Sequence, residues 1–519
     1  MATSVPLQQE IKVLPFEEAR PLHALLGLRS PLFLDRGGVP FAQLQYIETY
    51  LEEMKCRTVV REKHYIDRDH MEDHAVFYSR SLYPYENYCT RLHFFRTEPD
   101  ETSSRLRAAL SAGLRSSRQD YRESCRKLSD ESYLGFTVIR PLDGSPVGRT
   151  VLRPFDLPTK GGATRTFHSA LDYHAHLLGV DLTVEGLAFQ QQDVGVSACA
   201  TTALWSSLNK VRDLEEIRAA TPAQITMLAA RHSLRFGRPM PQEGLSLDQM
   251  CQAIHSFGVS ADLLRLPDTG AALSYIYSAT VSETAPILVL ARDQYRHAVT
   301  VVGVRTLDQY DPALCVKDFY EESNDLTALY LHDDRVGPYV RAGISRDDPL
   351  NLTLKIGWKT STGRQVEDWR VTHILIPVHS KIRLSFANLR RIALTSVLKN
   401  VLARRDTERD LGRIALSDPN IRLRAWIARS DRYGRSFHGN GDAALPQLER
   451  LWRTVPMARY LAVVRVRGTF MNDVDVLFDT TSTLRNAHAL AVLSTQSDRP
   501  ATLAIAKHLA DTFRCELIS

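Results

Sequence analysis

Residues 189–210 read FQQQDVGVSACATTALWSSLNK. Three glutamines and an aspartate are followed by small residues, and then by Cys199, where a helical pattern begins. Ala200, Leu204, Leu208 and Val211 recur at helical spacing, which places Cys199 in the first turn of a buried helix. The positive end of a helix dipole favours thiolate over thiol. Gln191 or Gln192, shortly upstream, can offer a side-chain amide to an oxyanion forming near the sulfur. A nucleophile also needs a base. About a hundred residues on, His297 heads the β-branched run His297-Ala-Val-Thr-Val-Val-Gly303, a strand by composition.

Glutamine, a cysteine at a helix start and a distant His-Ala-Val-Thr-Val-Val-Gly strand together resemble the papain-like cysteine peptidases. The resemblance is nearest to the bacterial branch that includes the double-glycine leader peptidases of bacteriocin exporters. It covers roughly residues 185–340. Two positions depart from the family pattern. Ser197-Ala198 stands where the family has a glycine beside its cysteine, and Asp193 stands six residues before Cys199, where the family has its glutamine. The resemblance implies an α+β fold with two lobes, one helical and one an antiparallel sheet. It implies catalysis by Cys199, His297 and a carboxylate that holds the imidazole. Asp333, with Asp334 beside it, closes the plausible strand Leu329–His332 and is the expected third member. Asp318 is the competitor. On that register, 308–327 is an insertion beside the cleft.

Composition is consistent with this reading. A chain of 519 residues accommodates several domains, and 44% apolar with 24% charged residues is ordinary globular usage. Seven scattered cysteines with no CxxC pair read as thiols of a reducing compartment, not a disulfide framework. The first residues lack the basic-then-apolar order of a signal peptide, and no apolar run approaches the ~18 residues that span a bilayer. The expectation is a cytoplasmic, cofactor-free and metal-free enzyme with no membrane association.

Along the chain, three regions are expected: mixed α/β to about 160, the peptidase region 161–345, and an α/β region 346–519. Helices are expected over 40–54, within 102–128, over 169–178 and 221–234, from a capping box at Ser246 to Phe257, and over 486–493. Strands are expected over 133–140, 286–290, 297–304, 372–377, 460–467 and 474–478. Pro154, Pro158 and Gly161-Gly162 mark the first boundary. His70-Met-Glu-Asp-His74 offers two imidazoles at i and i+4, but Glu72 points away from both. A charged, solvated helix is the expected reading, not a metal site. Gly144–Thr150 is too short for a phosphate loop, and Pro146 removes a donor amide. Residues 381–435 carry fourteen Lys/Arg against five Asp/Glu, leaving 51 against 55 elsewhere. Aromatic residues are sparse there, so a solvated or structural face is favoured over a nucleic-acid surface. The expected partner is a protein or peptide substrate.

Overall fold

The computed structural model describes residues 10–22, 25, 42–115, 117–142, 144–155, 162–193, 195–196, 198–215, 217–231, 244–308, 319–360, 363–410, 421–434, 445–468, 470–482, 488–494 and 500–518. The architecture is mixed α/β, and its sheets are mostly antiparallel.

The first sheet comprises β1 (Ile11–Pro15), β2 (Thr58–Tyr65), β3 (Cys89–Phe95), β4 (Tyr133–Ile139) and β5 (Val147–Leu152), paired in that order. Every residue of β4 is buried, because the sheet is covered on both faces. Helix Ala42–Glu53 packs Leu44, Ile47 and Leu51 on one side, with Val59, Leu92 and Phe94 of the sheet. Helices Pro99–Arg115 and Arg118–Ser132 pack Leu106, Cys125 and Leu128 on the other.

Strand β6 (Ala163–Thr166) joins the next sheet, and β7 (Leu171–Leu177) and β8 (Val180–Gly186) form a hairpin. The helix expected over 169–178 is therefore a strand. The turn explains this: Leu178 and Gly179 both take positive φ, 53° and 78°. That is the twist a two-residue hairpin loop requires.

The central sheet contains β9 (Val259–Arg265), β10 (Ile287–Arg292) and β11 (Tyr295–Leu307). It skips β12 (Phe319–Glu321) and resumes with β13 (Leu326–Asp333), β14 (Gly337–Ser345), β15 (Thr353–Thr360) and β16 (Gly363–His379). Strands run β10-β11-β13-β14-β15-β16, and β10 also pairs with β16, so the path closes into a ring. The compositional shift near 346 is thus no sheet boundary, because β15 and β16 belong to the same ring as β11. Against it packs helix Cys199–Glu215, on which in turn lie helix Pro222–Ala229, capped by Thr221, and helix Leu247–Ser256. The last begins with the capping box of Ser246 and Gln249.

The last sheet is ordered β12-β17-β18-β19-β20-β21, with β17 (Ile421–Arg429), β18 (Tyr460–Gly468), β19 (Met471–Asp479), β20 (Ala489–Ser494) and β21 (Glu516–Ile518). Two expectations change here. The apolar run expected as a helix over 486–493 contributes strand β20 paired to β19, and short buried apolar runs carry no period to tell the two apart. The insertion 308–327 does not simply border a cleft. Its described part from Phe319 forms edge strand β12, parallel to β17, and Leu326 already begins β13.

Candidate active site

Helix Cys199–Glu215 is apolar where it meets the sheet and small where it must come close. Leu204 and Trp205 are buried. The Ser206 hydroxyl donates to the Ala188 carbonyl at 2.8 Å and that of Ser207 to the Ala285 carbonyl at 2.6 Å. From β11, Thr300 Oγ1 donates to the Ala203 carbonyl at 2.9 Å. The Thr300 bond ties the helix to the strand that carries His297, and the two serines tie it to the segments before β10 and after β8. Cys199, half-buried, lies at its first turn, where free N–H groups leave a positive field.

His297 is almost fully buried, and its Nε2 lies 2.9 Å from Asp333 Oδ1. That contact leaves Nδ1 as the ring nitrogen that can serve Cys199, which lies close enough to help raise the imidazole's pKa. Asp333 ends β13 in a tight turn. Its Oδ1 accepts the Arg335 N–H at 3.0 Å, its Oδ2 the Arg335 guanidinium at 3.3 Å, and its carbonyl the Val336 N–H at 2.9 Å. Gly337 finishes the turn with φ +159°. A Cβ there would sit 2.2 Å from the Tyr46 ring, so only glycine fits.

Two residues that the sequence did not single out complete the surroundings. Trp369 of β16 is buried with its ring 5.8 Å from His297, and the guanidiniums of Arg292 and Arg335 lie 5.0 and 4.8 Å from its ring. Glu367 accepts from the Trp369 indole at 2.9 Å and from Arg335 at 3.1 Å. No local motif announces a tryptophan seventy residues after the histidine; sheet closure through β16 brings it there.

The electrostatics follow from burial and contact. Burial disfavours the His297 imidazolium, but the Asp333 carboxylate, Cys199 and Asp334 outweigh it and raise the group to about 10. Burial opposes the Asp333 carboxylate as well, yet His297 and Arg335 hold it below its ordinary range. Asp334 is pushed up to about 6 by burial and by Asp333, despite opposing attraction from His297. Its Oδ1 lies 3.7 Å from His297 Nε2 and has no hydrogen-bond partner among the described residues. Asp333 is therefore the carboxylate that engages the imidazole, and Asp334 is its neighbour. Asp318 lies outside the described residues.

A pH dependence follows, with its sign set by linkage. A histidine raised from 6.5 to about 10 contributes stability in full below 6.5 and loses it as pH climbs through about 10. Asp333, lowered, contributes above the ordinary carboxylate range and loses its part in acid. The melting-temperature gap between wild type and His297→Gln should be widest at about pH 5–6 and close towards about pH 10. A gap that stays level across that range refutes the ion pair.

The two glutamines expected near the nucleophile divide. Gln191 is committed to β5: its Oε1 accepts the Val147 N–H at 3.2 Å and its Nε2 faces the Gly144 carbonyl at 3.5 Å. It is a structural residue here. Gln192 is half-buried and has no side-chain hydrogen bond among the described residues. Gln190, which the sequence reading passed over, is 3% exposed with its Nε2 unpartnered among the described residues. Main-chain bonds of Phe189 and Gln191 to β5 flank it. The adjacent Ala188 carbonyl is held by Ser206, two turns into the Cys199 helix. A buried amide without a partner is costly unless something occupies it.

The other sequence candidates sit elsewhere. The helix Arg68–Asp73 is not solvated: His70 is buried, with Nε2 on the Glu86 carbonyl at 3.1 Å, and His74 Nε2 is on the Tyr85 carbonyl at 3.1 Å. Among the described residues, the one group of three side chains able to ligate a metal is His297, Asp333 and Asp334, whose ligand atoms lie within 4.8 Å of one another. The Arg335 guanidinium on Asp333 opposes a cation there. In the basic stretch, Arg390 pairs with Glu321, Arg422 with Asp325, Arg404 with Glu408, Arg405 with Asp406 and Arg432 with Glu283. Arg390, Arg422 and Arg432 thereby dock elements to one another, whereas Arg404 and Arg405 pair within helix Lys399–Asp410. Arg413 and Arg435 lie outside the described residues. Among the described residues, no helix is long and apolar enough to cross a membrane.

Comparison of the chain with protein-family models and with curated proteins finds no match.

Proposed function

We propose that the protein is a papain-like thiol hydrolase that cleaves a peptide or isopeptide bond through Cys199, His297 and Asp333. One observation carries this reading: a half-buried cysteine at a helix start neighbours a buried histidine that a buried aspartate holds at 2.9 Å. The two lobes would be the helices around Cys199–Glu215 and the ring of β10 to β16.

In this reading Cys199 and His297 act as a thiolate–imidazolium pair. The sulfur attacks the amide carbon, and the Cys199 N–H with a glutamine amide stabilises the oxyanion. His297 then passes its proton to the leaving amine, and water releases the acyl group by the reverse path. Asp333 keeps the imidazole in one tautomer and orientation. Release of the acyl group to an amine in place of water uses the same residues. The expected partner remains a protein or peptide substrate in the cytoplasm, without cofactor.

The test is a peptide acyloxymethyl ketone probe, with the adduct located by mass spectrometry. Covalent labelling of Cys199 that depends on His297 supports the reading, and absence of labelling in folded wild type sinks it. Gln190→Ala should reduce hydrolysis by about 10²-fold, the cost of losing one oxyanion donor, while leaving iodoacetamide alkylation unchanged. If Gln192→Ala has that effect and Gln190→Ala does not, Gln192 is the donor.

A further inference from the structure

The first sheet's domain reaches into the loop that precedes the nucleophile. Helix Arg68–Asp73 runs on as a π-helical turn, His74–Tyr78. It is pinned at three points, two on the neighbouring helix Pro222–Ala229 and one on the segment just before it. Asp73 Oδ1 accepts the Ala223 N–H at 3.1 Å, Gln224 donates to Glu72 at 2.6 Å, and Arg68 donates to the Ala219 carbonyl at 2.9 Å. Tyr78, at the end of this rod, donates its hydroxyl to Asp193 Oδ1 at 2.5 Å. Burial and the Asp193 carboxylate both raise the phenol, so it stays protonated as the donor.

Asp193 in turn shapes the approach to Cys199. Its Oδ1 accepts the Gly195 N–H at 2.9 Å, and its carbonyl accepts the Val196 N–H at 3.2 Å. The Val196 carbonyl is held by Thr226 Oγ1 at 2.9 Å, and Thr226 faces Thr201 at 3.3 Å in the first turn of the Cys199 helix. The Tyr78 hydroxyl also fills the space beside Gly195, where a Cβ would lie 2.7 Å from it. Hydroxyl, carboxylate and glycine form one contact between two domains, six residues from the sulfur.

We propose that Tyr78 is a positioning residue for Cys199: through Asp193 and Gly195 the N-terminal domain clamps the turn that sets the nucleophile against His297. The proposal rests on the thiol-hydrolase reading above. It makes the N-terminal domain part of the active machinery, because displacement of the rod Arg68–Tyr78 would release the turn. It also gives the glutamine-rich approach to Cys199 a defined conformation despite the absence of the glycine expected beside the cysteine. A misplacement of about 1 Å at a reacting group costs on the order of 10²-fold, so a single hydroxyl can matter here.

The experiment measures iodoacetamide alkylation of Cys199 in the full chain, peptide by peptide, against pH, beside the melting temperature. Tyr78→Phe keeps the ring and removes the donor, and alkylation near neutrality should slow by about tenfold or more. Asp193→Asn keeps an acceptor for Tyr78 and should stay near wild type, whereas Asp193→Ala, which also loses the Gly195 N–H, should be at least as slow as Tyr78→Phe. The double variant combining Tyr78→Phe with Asp193→Ala should be no slower than Asp193→Ala alone, because Tyr78 acts through Asp193. Gly195→Ala should slow alkylation too, and Tyr78→Phe should partly relieve it by removing the clashing hydroxyl. Wild-type rates in Tyr78→Phe, or additive losses in the double variant, overturn the clamp. So does slowing that comes with labelling of buried Cys56, Cys89 and Cys125, since that reports unfolding. A wild-type Cys199 that is itself inert defeats the thiol-hydrolase reading first, and the clamp with it.

Discussion

Cys199→Ala should abolish hydrolysis, a loss on the order of 10⁶-fold, and His297→Ala should cost roughly 10³–10⁴-fold in turnover. The same pair should govern thiol chemistry. Iodoacetamide at neutral pH should label Cys199 ahead of every other described cysteine. The reason lies as much in the others as in Cys199. Burial pushes the Cys56 thiol up to about 12 and raises Cys89, while Cys515 is pushed up to about 11 and Cys251 is raised. Cys199 alone among them combines partial exposure, a helix start and a histidine partner. Removing the imidazole in His297→Ala should slow Cys199 labelling near neutrality. Equal rates in wild type and His297→Ala would dissolve the proposed pair, and faster labelling of another cysteine would remove Cys199 from its role.

Asp333 carries the second large effect, and the structure changes what its substitution should do. From the sequence, Asp333→Ala is expected to lower turnover without unfolding. In the fold Asp333 is fully buried, accepts the Arg335 N–H and faces both His297 and Arg335. Removing it leaves the buried His297 imidazolium without its bonded carboxylate, although Arg335 keeps Glu367, and breaking a buried pair costs about 3–5 kcal/mol. Asp333→Ala should therefore lose both stability and activity. Asp333→Asn is the cleaner probe, since it keeps the volume and an acceptor for Arg335. It should cost less stability, yet drop turnover by about 10²–10⁴-fold as the imidazole loses its anionic partner and preferred tautomer. Kinetics and urea melts of both variants decide the matter. Full activity in a stable Asp333→Asn protein would transfer the orienting role to Asp334 or remove it altogether.

The parts of this site differ in how they are encoded. Cys199 was legible because helical spacing and a small-residue approach are local properties, written within about twenty residues. His297 was legible for the same reason, as the head of a β-branched run. The capping box at Ser246 and Gln249, the Thr221-Pro222 helix start and the strands at 133–139 and 460–468 depend only on neighbours along the chain. Where local and non-local forces competed, the sequence reading failed. Residues 171–177 form a strand because the Leu178-Gly179 turn and pairing to β8 decide it, and 489–494 do so because β19 offers an edge.

The sequence by itself thus determined which residue types could do chemistry and in what order they occur. It could not choose between Asp333 and Asp334, because adjacent residues differ only in which face the turn presents. The bond at 2.9 Å makes that choice. Nor could it tell that Gln191 is spent on β5 while Gln190 is left unpartnered, since strand register alternates side chains between faces. Trp369 beside His297, and Tyr78 on the turn before Cys199, come from segments about 70 and 120 residues away from those partners. Such contacts depend on how the ring of strands closes and how distant elements dock, which are properties of packing between distant surfaces and leave no periodic trace along the chain.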